Sequence, residues 1–160
     1  MPVERYTHIG ICVSDLDRSL RFYCEALGFD VLGRQDLHGR TLDQLNQLES
    51  VKVRTVFLGR DGSRLELMQF ESPGCVGPRT ARPMNQLGLT HLAFRVADFD
   101  AVCAKIEAAG GRLIPETRME LPGPARVIMV TDPDGLRVEL LERRGPLDAL
   151  PLVDGNATKG

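Results

Sequence analysis

Two hydrophobic periods alternate along this chain, and the whole alternation occurs twice. Residues 6–13 and 89–96 read as strands, with side chains turned to opposite faces in succession. Behind the first run, Leu16, Leu20, Tyr23 and Leu27 recur at steps of four, three and four, which stripes one face of a helix. Phe99, Cys103, Ile106 and Gly110 take the same slots behind the second run. Asp15 or Asp17, and Asp98 or Asp100, offer N-cap carboxylates. Gly28 and Gly110-Gly111 stand where a helix stops and the backbone needs a positive φ. Three strand-like runs follow in each half: 29–34, 51–58 and 64–70, then 112–117, 125–131 and 136–141. Gly59-Arg60-Asp61-Gly62 and Asp132-Pro133-Asp134-Gly135 are turn sequences between the last two runs. Each half therefore reads βαβββ.

The halves also match residue by residue. Thr7-His8-Ile9-Gly10-Ile11-Cys12-Val13 aligns with Thr90-His91-Leu92-Ala93-Phe94-Arg95-Val96 at an offset of 83, which also carries Asp15 to Asp98, Ala26 to Ala109 and Gly28 to Gly111. Asp61-Gly62-Ser63-Arg64-Leu65-Glu66-Leu67 aligns with Asp134-Gly135-Leu136-Arg137-Val138-Glu139-Leu140 at an offset of 73, with five of seven positions identical. The ten-residue difference places an insertion in the first copy, at the polar, helix-like stretch 40–50. Two copies are too few for a solenoid, so the repeat predicts a duplicated module. The expected layout is module 1 over 5–71, a Pro- and Gly-rich linker over 72–88, module 2 over 89–143 and a tail over 144–160, in which Leu147, Leu150, Leu152 and Val153 form a possible docking arm.

Composition narrows the function class. The 160 residues suit one domain that folds without disulfides. Twenty Lys and Arg against 22 Asp and Glu leave a net charge of −2, which argues against a nucleic-acid surface. No apolar run approaches a membrane span, and the first residues carry no apolar signal core. Cys12, Cys24, Cys75 and Cys103 lack zinc-ribbon spacing and read as reduced thiols of a cytoplasmic protein.

Each copy offers one His on its first strand and one Glu on its last: His8 and Glu66, His91 and Glu139. Strand alternation puts His8 on the face of Gly10 and Cys12, with Thr7, Ile9, Ile11 and Val13 expected on the other face, toward the helix. Glu66 stands opposite Leu65 and Leu67, and Glu139 opposite Val138 and Leu140. A carboxylate in an otherwise apolar strand is costly to bury without a partner. Two imidazoles and two carboxylates suit one divalent cation: nickel, cobalt, zinc, manganese or iron. A lone strand His or Glu is ordinarily structural, and Glu66 has Arg64 as a competing partner; the recurrence of both types at equivalent places favours ligation. His38 has no counterpart and reads as a surface-loop residue. The Asp pairs read as helix caps rather than catalytic acids, and the Asp132–Gly135 stretch as a hairpin turn rather than a calcium loop.

These stretches resemble the vicinal oxygen chelate superfamily, which includes glyoxalase I, methylmalonyl-CoA epimerase, extradiol dioxygenases and the fosfomycin and bleomycin resistance proteins. The resemblance spans about residues 5–143 and rests on T-H-I-G-I-C-V-S-D-L-D, L-G-F, R-L-E-L, L-T-H-L-A-F-R-V-A-D-F-D and D-P-D-G-L-R-V-E-L-L-E. It implies an α+β fold of two tandem βαβββ modules, with helices outside an open, cup-shaped sheet around a divalent metal. The family's ligands fall on His8, Glu66, His91 and Glu139, the His-Glu-His-Glu pattern of the glyoxalase I type. The implied reaction is proton transfer beside a metal-bound carbonyl through an enediolate, with Glu139 or Glu66 as the base. Arg54, Arg79, Arg82 and Arg126 are candidates for an anionic substrate tail. Epimerases of the family usually carry Gln where Glu66 stands and an acid on the third strand, where this chain has none. Dioxygenases need one carboxylate fewer, and antibiotic-sequestering relatives typically lack the ligand set. The expected protein is a metal-dependent lyase or isomerase with a small-molecule substrate, a homodimer with no nucleic-acid or membrane partner. An epimerase, a dioxygenase and a dimeric binder of small molecules or antibiotics remain the alternatives.

Overall fold

The computed structural model describes residues 2–121, 125–142 and 145. The four apolar residues of the expected tail lie outside the described residues. Two compact units divide between Arg79 and Thr80, inside the expected linker. The first holds β1 (Ile9–Cys12), α1 (Leu16–Leu20) continuing as a π-helical segment (Arg21–Ala26), β2 (Asp30–His38), α2 (Arg40–Asn46), β3 (Lys52–Arg60) and β4 (Ser63–Ser72). The second holds β5 (His91–Val96), α3 (Phe99–Ala108), β6 (Arg112–Leu121), β7 (Ala125–Thr131) and β8 (Arg137–Glu142).

Each unit is an open four-stranded sheet of one topology, β1-β4-β3-β2 in the first and β5-β8-β7-β6 in the second. The first strand of each runs parallel to the last, and the other neighbours are antiparallel. Parallel neighbours need a crossover, and the helix after the first strand provides the start of it. The result is two α+β βαβββ modules.

Register decides which side chains share a face. Ile11, Leu67 and Val56 stand in one row, and Ile9, Leu65 and Leu58 in the next. This face meets the helix, and Leu16, Phe22, Tyr23 and Leu27 are buried with it. In the second unit Leu92, Val138 and Val130 form one row, and Phe94, Leu140 and Ile128 another. Phe99, Cys103, Ile106 and Ala109 of the α3 region are buried in that unit. Fully burying one Leu or Phe side chain is worth roughly 1.5–3 kcal/mol, so these rows hold each module together.

The helix ends follow the local code, with one departure. Asp15 and Asp98 are the caps: their Oδ1 atoms accept from the Arg18 and Ala101 amides at 2.9 and 3.0 Å. The Arg18 amide is the main reason the Asp15 carboxyl lies below its usual value. Gly110 takes φ +85° at the end of α3, where the Gly111 amide reaches back to the Ile106 carbonyl. Gly28 takes φ +71°, but there the Phe29 amide reaches back one residue further, to Tyr23. Gly28 is thus the equivalent of Gly110, not of Gly111 as the constant offset of 83 implies. The first helix holds one extra residue between Tyr23 and Gly28, and the π-helical segment absorbs it.

Two other expectations shift, and two hold. The first strand is shorter than 6–13: it starts at Ile9, opposite Leu65, two residues past the start of β4 at Ser63. His38 closes β2 rather than lying in a loop, although it is exposed as expected. The 40–50 insertion does form a helix, and the Val51 amide donates to Asp43 Oδ1 at 2.7 Å, tying its end back. The β3–β4 turn is a two-residue hairpin, with Asp61 and Gly62 both at positive φ.

Candidate metal centre

The face away from the helix carries the ligand-type side chains. In the first unit Gly10, Glu66 and Phe57 form one row across β1, β4 and β3. In the second, Ala93, Glu139 and Met129 form the corresponding row across β5, β8 and β7. His8 sits one residue ahead of β1 and His91 opens β5. Each is two residues before the small residue of its row, so alternation brings the imidazole beside the carboxylate.

His8 Nε2 stands 3.1 Å from Glu66 Oε2, and His91 Nε2 stands 3.8 Å from Glu139 Oε2. The carboxylates are the more sheltered members: Glu66 is 14% exposed and Glu139 20%, against 35% and 28% for the histidines. The His8 ring also meets Phe57 edge-on, with centroids 5.5 Å apart.

The other nitrogen of each ring is held as well. Thr7 Oγ1 lies 3.1 Å from His8 Nδ1, and Thr90 Oγ1 lies 3.0 Å from His91 Nδ1. With Nδ1–H donating to the threonine oxygen, Nε2 presents its lone pair toward the carboxylate side. With the hydroxyl donating instead, Nε2–H is free to bond the carboxylate. The hydroxyl thus serves both tautomers, which is what a ligand gaining and losing an ion requires.

The donor set fits a divalent ion. Two donors about 2.1 Å from one cation stand roughly 3.0–3.4 Å apart at ordinary coordination angles. The first pair already has that spacing, and the second needs a small side-chain turn. Among the described residues no third His, Cys, Asp or Glu joins either pair.

The candidate arginines divide. Arg54 is on the helix face, because residues 53, 55 and 57 of β3 share the face of Glu66; its guanidinium lies 3.8 Å from Asp36. Arg126 is also on the helix face, opposite Glu142. It bonds Glu142 at 2.7 Å and Asp100 at 2.8 Å, and its guanidinium carbon sits 4.7 Å from the Phe99 ring centre. The hydrogen bond to Glu142, then that to Asp100, raises the Arg126 pKa, and both carboxyls are held below their usual values in return. Arg126 is thus held by two carboxylates on that face, while Arg54 is a half-exposed neighbour of Asp36. Arg82 is committed to the linker, where its guanidinium donates to the Leu89 carbonyl at 2.5 Å and its own carbonyl accepts from Arg137 Nε. Arg79 is exposed at the end of the first unit.

Sequence reasoning missed Thr7, Thr90 and Arg137. Arg137 shares the face of Glu139 and stands in register with His91. The signals were present as the repeated Thr-His and Arg-x-Glu pairs, of which only Arg64 was weighed, as a partner for Glu66.

Comparison with known proteins bears on the family and the fold. The model of the Glyoxalase/Bleomycin resistance protein/Dioxygenase superfamily matches residues 5–140. A probable lactoylglutathione lyase of Synechocystis is 30% identical over 88% of this chain and 97% of its own length. An uncharacterized Escherichia coli protein is 32% identical over 88% of this chain and 98% of its own. A crystal structure of a glyoxalase family protein from Bacillus cereus superposes with a TM-score of 0.78 at 24% identity, covering 91% of this chain and 97% of that one. A doubled βαβββ fold, two equivalent His–Glu pairs and a family match over most of the sequence converge: the chain belongs to the glyoxalase/bleomycin resistance/dioxygenase superfamily.

Proposed function

We propose that the protein is a divalent-metal-dependent lyase or isomerase of the glyoxalase I type, with His8, Glu66, His91 and Glu139 as the ligands of one ion per chain. The observation that carries this reading is the Thr–His···Glu arrangement built at equivalent places in both modules. One pair gives only two donors, so each needs the other, from the same chain or from a second copy in a homodimer. The name of the Synechocystis relative supports the same class of reaction.

A bound divalent ion polarises a carbonyl oxygen and makes the adjacent C–H more acidic. The histidines hold their place through Nδ1, so that a carboxylate is free to move while Nε2 stays. Glu139 is assigned as the base: its Oε2 stands farther from its imidazole than that of Glu66, and it is the more exposed carboxylate. Its oxygen takes the proton from the carbon beside the carbonyl and returns it to the neighbouring carbon. The substrate class is a thiol adduct of a 2-oxoaldehyde.

The test is elemental analysis of the purified protein, followed by turnover and solvent-deuterium exchange with methylglyoxal–thiol adducts. One divalent ion per chain and exchange that disappears in Glu139→Gln while the ion stays bound are the expected results. A metal-free protein that cannot be loaded, or full exchange in Glu139→Gln, overturns the reading.

A further inference from the structure

Two thiols far apart in sequence meet in the first unit. Cys12 Sγ and Cys75 Sγ are 3.8 Å apart across 63 residues, and both cysteines are exposed. Cys12 is the last residue of β1, in register with Met68, on the face that carries Gly10. Cys75 follows the end of β4, and its thiol also donates to the Val13 carbonyl at 3.2 Å. That bond holds the Cys75 segment against the end of β1. The remaining cysteines have no such arrangement: Cys24 is half-buried and Cys103 buried, and burial pushes both thiols up, away from the reactive thiolate form.

A disulfide has sulfurs about 2.05 Å apart. Closing the remaining gap takes a turn of at least one Cβ–Sγ arm, and both residues are exposed. We propose that Cys12 and Cys75 form a dithiol site that low-molecular-weight disulfides oxidise to an intrachain disulfide. The chemistry balances in two exchanges. One protein thiol loses its proton to solvent, and its thiolate attacks RS–SR, forming a protein–SR mixed disulfide and expelling RS⁻. The second protein thiol loses its proton and attacks the protein sulfur of that mixed disulfide, expelling the other RS⁻. The two thiolates released take up two protons. Two protein thiols are oxidised and one RSSR is reduced to two RSH. The second exchange is intramolecular between neighbouring sulfurs, so the mixed disulfide is short-lived.

The experiment treats the full chain with oxidised glutathione, blocks remaining thiols, digests with trypsin without reductant and reads the peptides by mass spectrometry. The expected product joins peptide 6–18 to peptide 65–79 within one chain, at a mass two hydrogens below their sum, and dithiothreitol separates them. In Cys75→Ser the expected product is a lasting glutathione adduct on Cys12, and in Cys12→Ser one on Cys75. A wild-type protein that keeps stable adducts on both cysteines, links between chains, or stays unmodified overturns the proposal. The wild-type measurement decides this by itself, whatever the variants do.

Discussion

Replacing both Thr7 and Thr90 by Val tests whether the ring-holding hydroxyls belong to the metal site. Valine keeps the shape and β-branching of threonine and removes only the oxygen that lies 3.1 Å from His8 Nδ1 and 3.0 Å from His91 Nδ1. Each is a neutral hydrogen bond, worth at most about 1 kcal/mol where water competes for it. Without the hydroxyl the Nδ1–H of the metal-bound imidazole loses its acceptor and the ring rotates more freely, and that cost falls on the metal-bound state. One threonine is then worth up to about fivefold in metal affinity, and the two together up to about thirtyfold, because they hold different rings. The assay is competition for zinc or nickel against a chromophoric chelator at neutral pH, with unfolding by circular dichroism as the control for stability. Thr→Ser at both positions keeps the hydroxyl and is expected to bind as the wild type does. Wild-type affinity in the double valine variant, or an equal loss in the serine variant, refutes the reasoning.

Two further outcomes are expected. Arg126→Met destabilises the second module at neutral pH, and its gap from the wild type narrows on acidification. The Asp100 and Glu142 carboxyls are held below their ordinary values of 3.8 and 4.5, so the stability they contribute is present above those values and is lost as pH falls through the lowered ones. Chemical denaturation across pH 3–7 reads this, and a gap that stays constant or widens below pH 4 contradicts it. Deleting the exposed Glu25 removes the extra residue of the π-helical segment and is expected to leave a cooperatively folding protein with an ordinary α-helix. The same deletion at Glu107, where α3 has no extra residue, turns Ala108 and the buried Ala109 by about 100° and is expected to lower the stability of that module. Thermal melts of the two deletions that match each other would sink the argument.

The residues that sequence reasoning located best are those whose signal is local. The caps Asp15 and Asp98, the turn at Asp61-Gly62 and the glycine ending each helix act through backbone groups a few residues away. Their chemistry shows in any window of ten residues. The His–Glu pairs were legible for a different reason: duplication wrote the same types twice, and alternation along each strand put them on the face away from the apolar set. The fixed offset failed at Gly28 because an extra residue in a helix leaves no mark on composition. It shows only in which carbonyl the Phe29 amide reaches.

By itself, then, the order of residues determined the doubled βαβββ architecture and the identity of the four ligand-type side chains, since both follow from periodicity along short stretches. Only the tertiary structure decided where the arginines turn. The face of Arg54 depends on its distance from a two-residue hairpin, and that of Arg126 on its pairing with Glu142, and register accumulates across turns that periodicity does not count. The meeting of Cys12 with Cys75 belongs to the same class. A contact across 63 residues exists only once β1 has paired with β4, because no local hydrogen bond announces it.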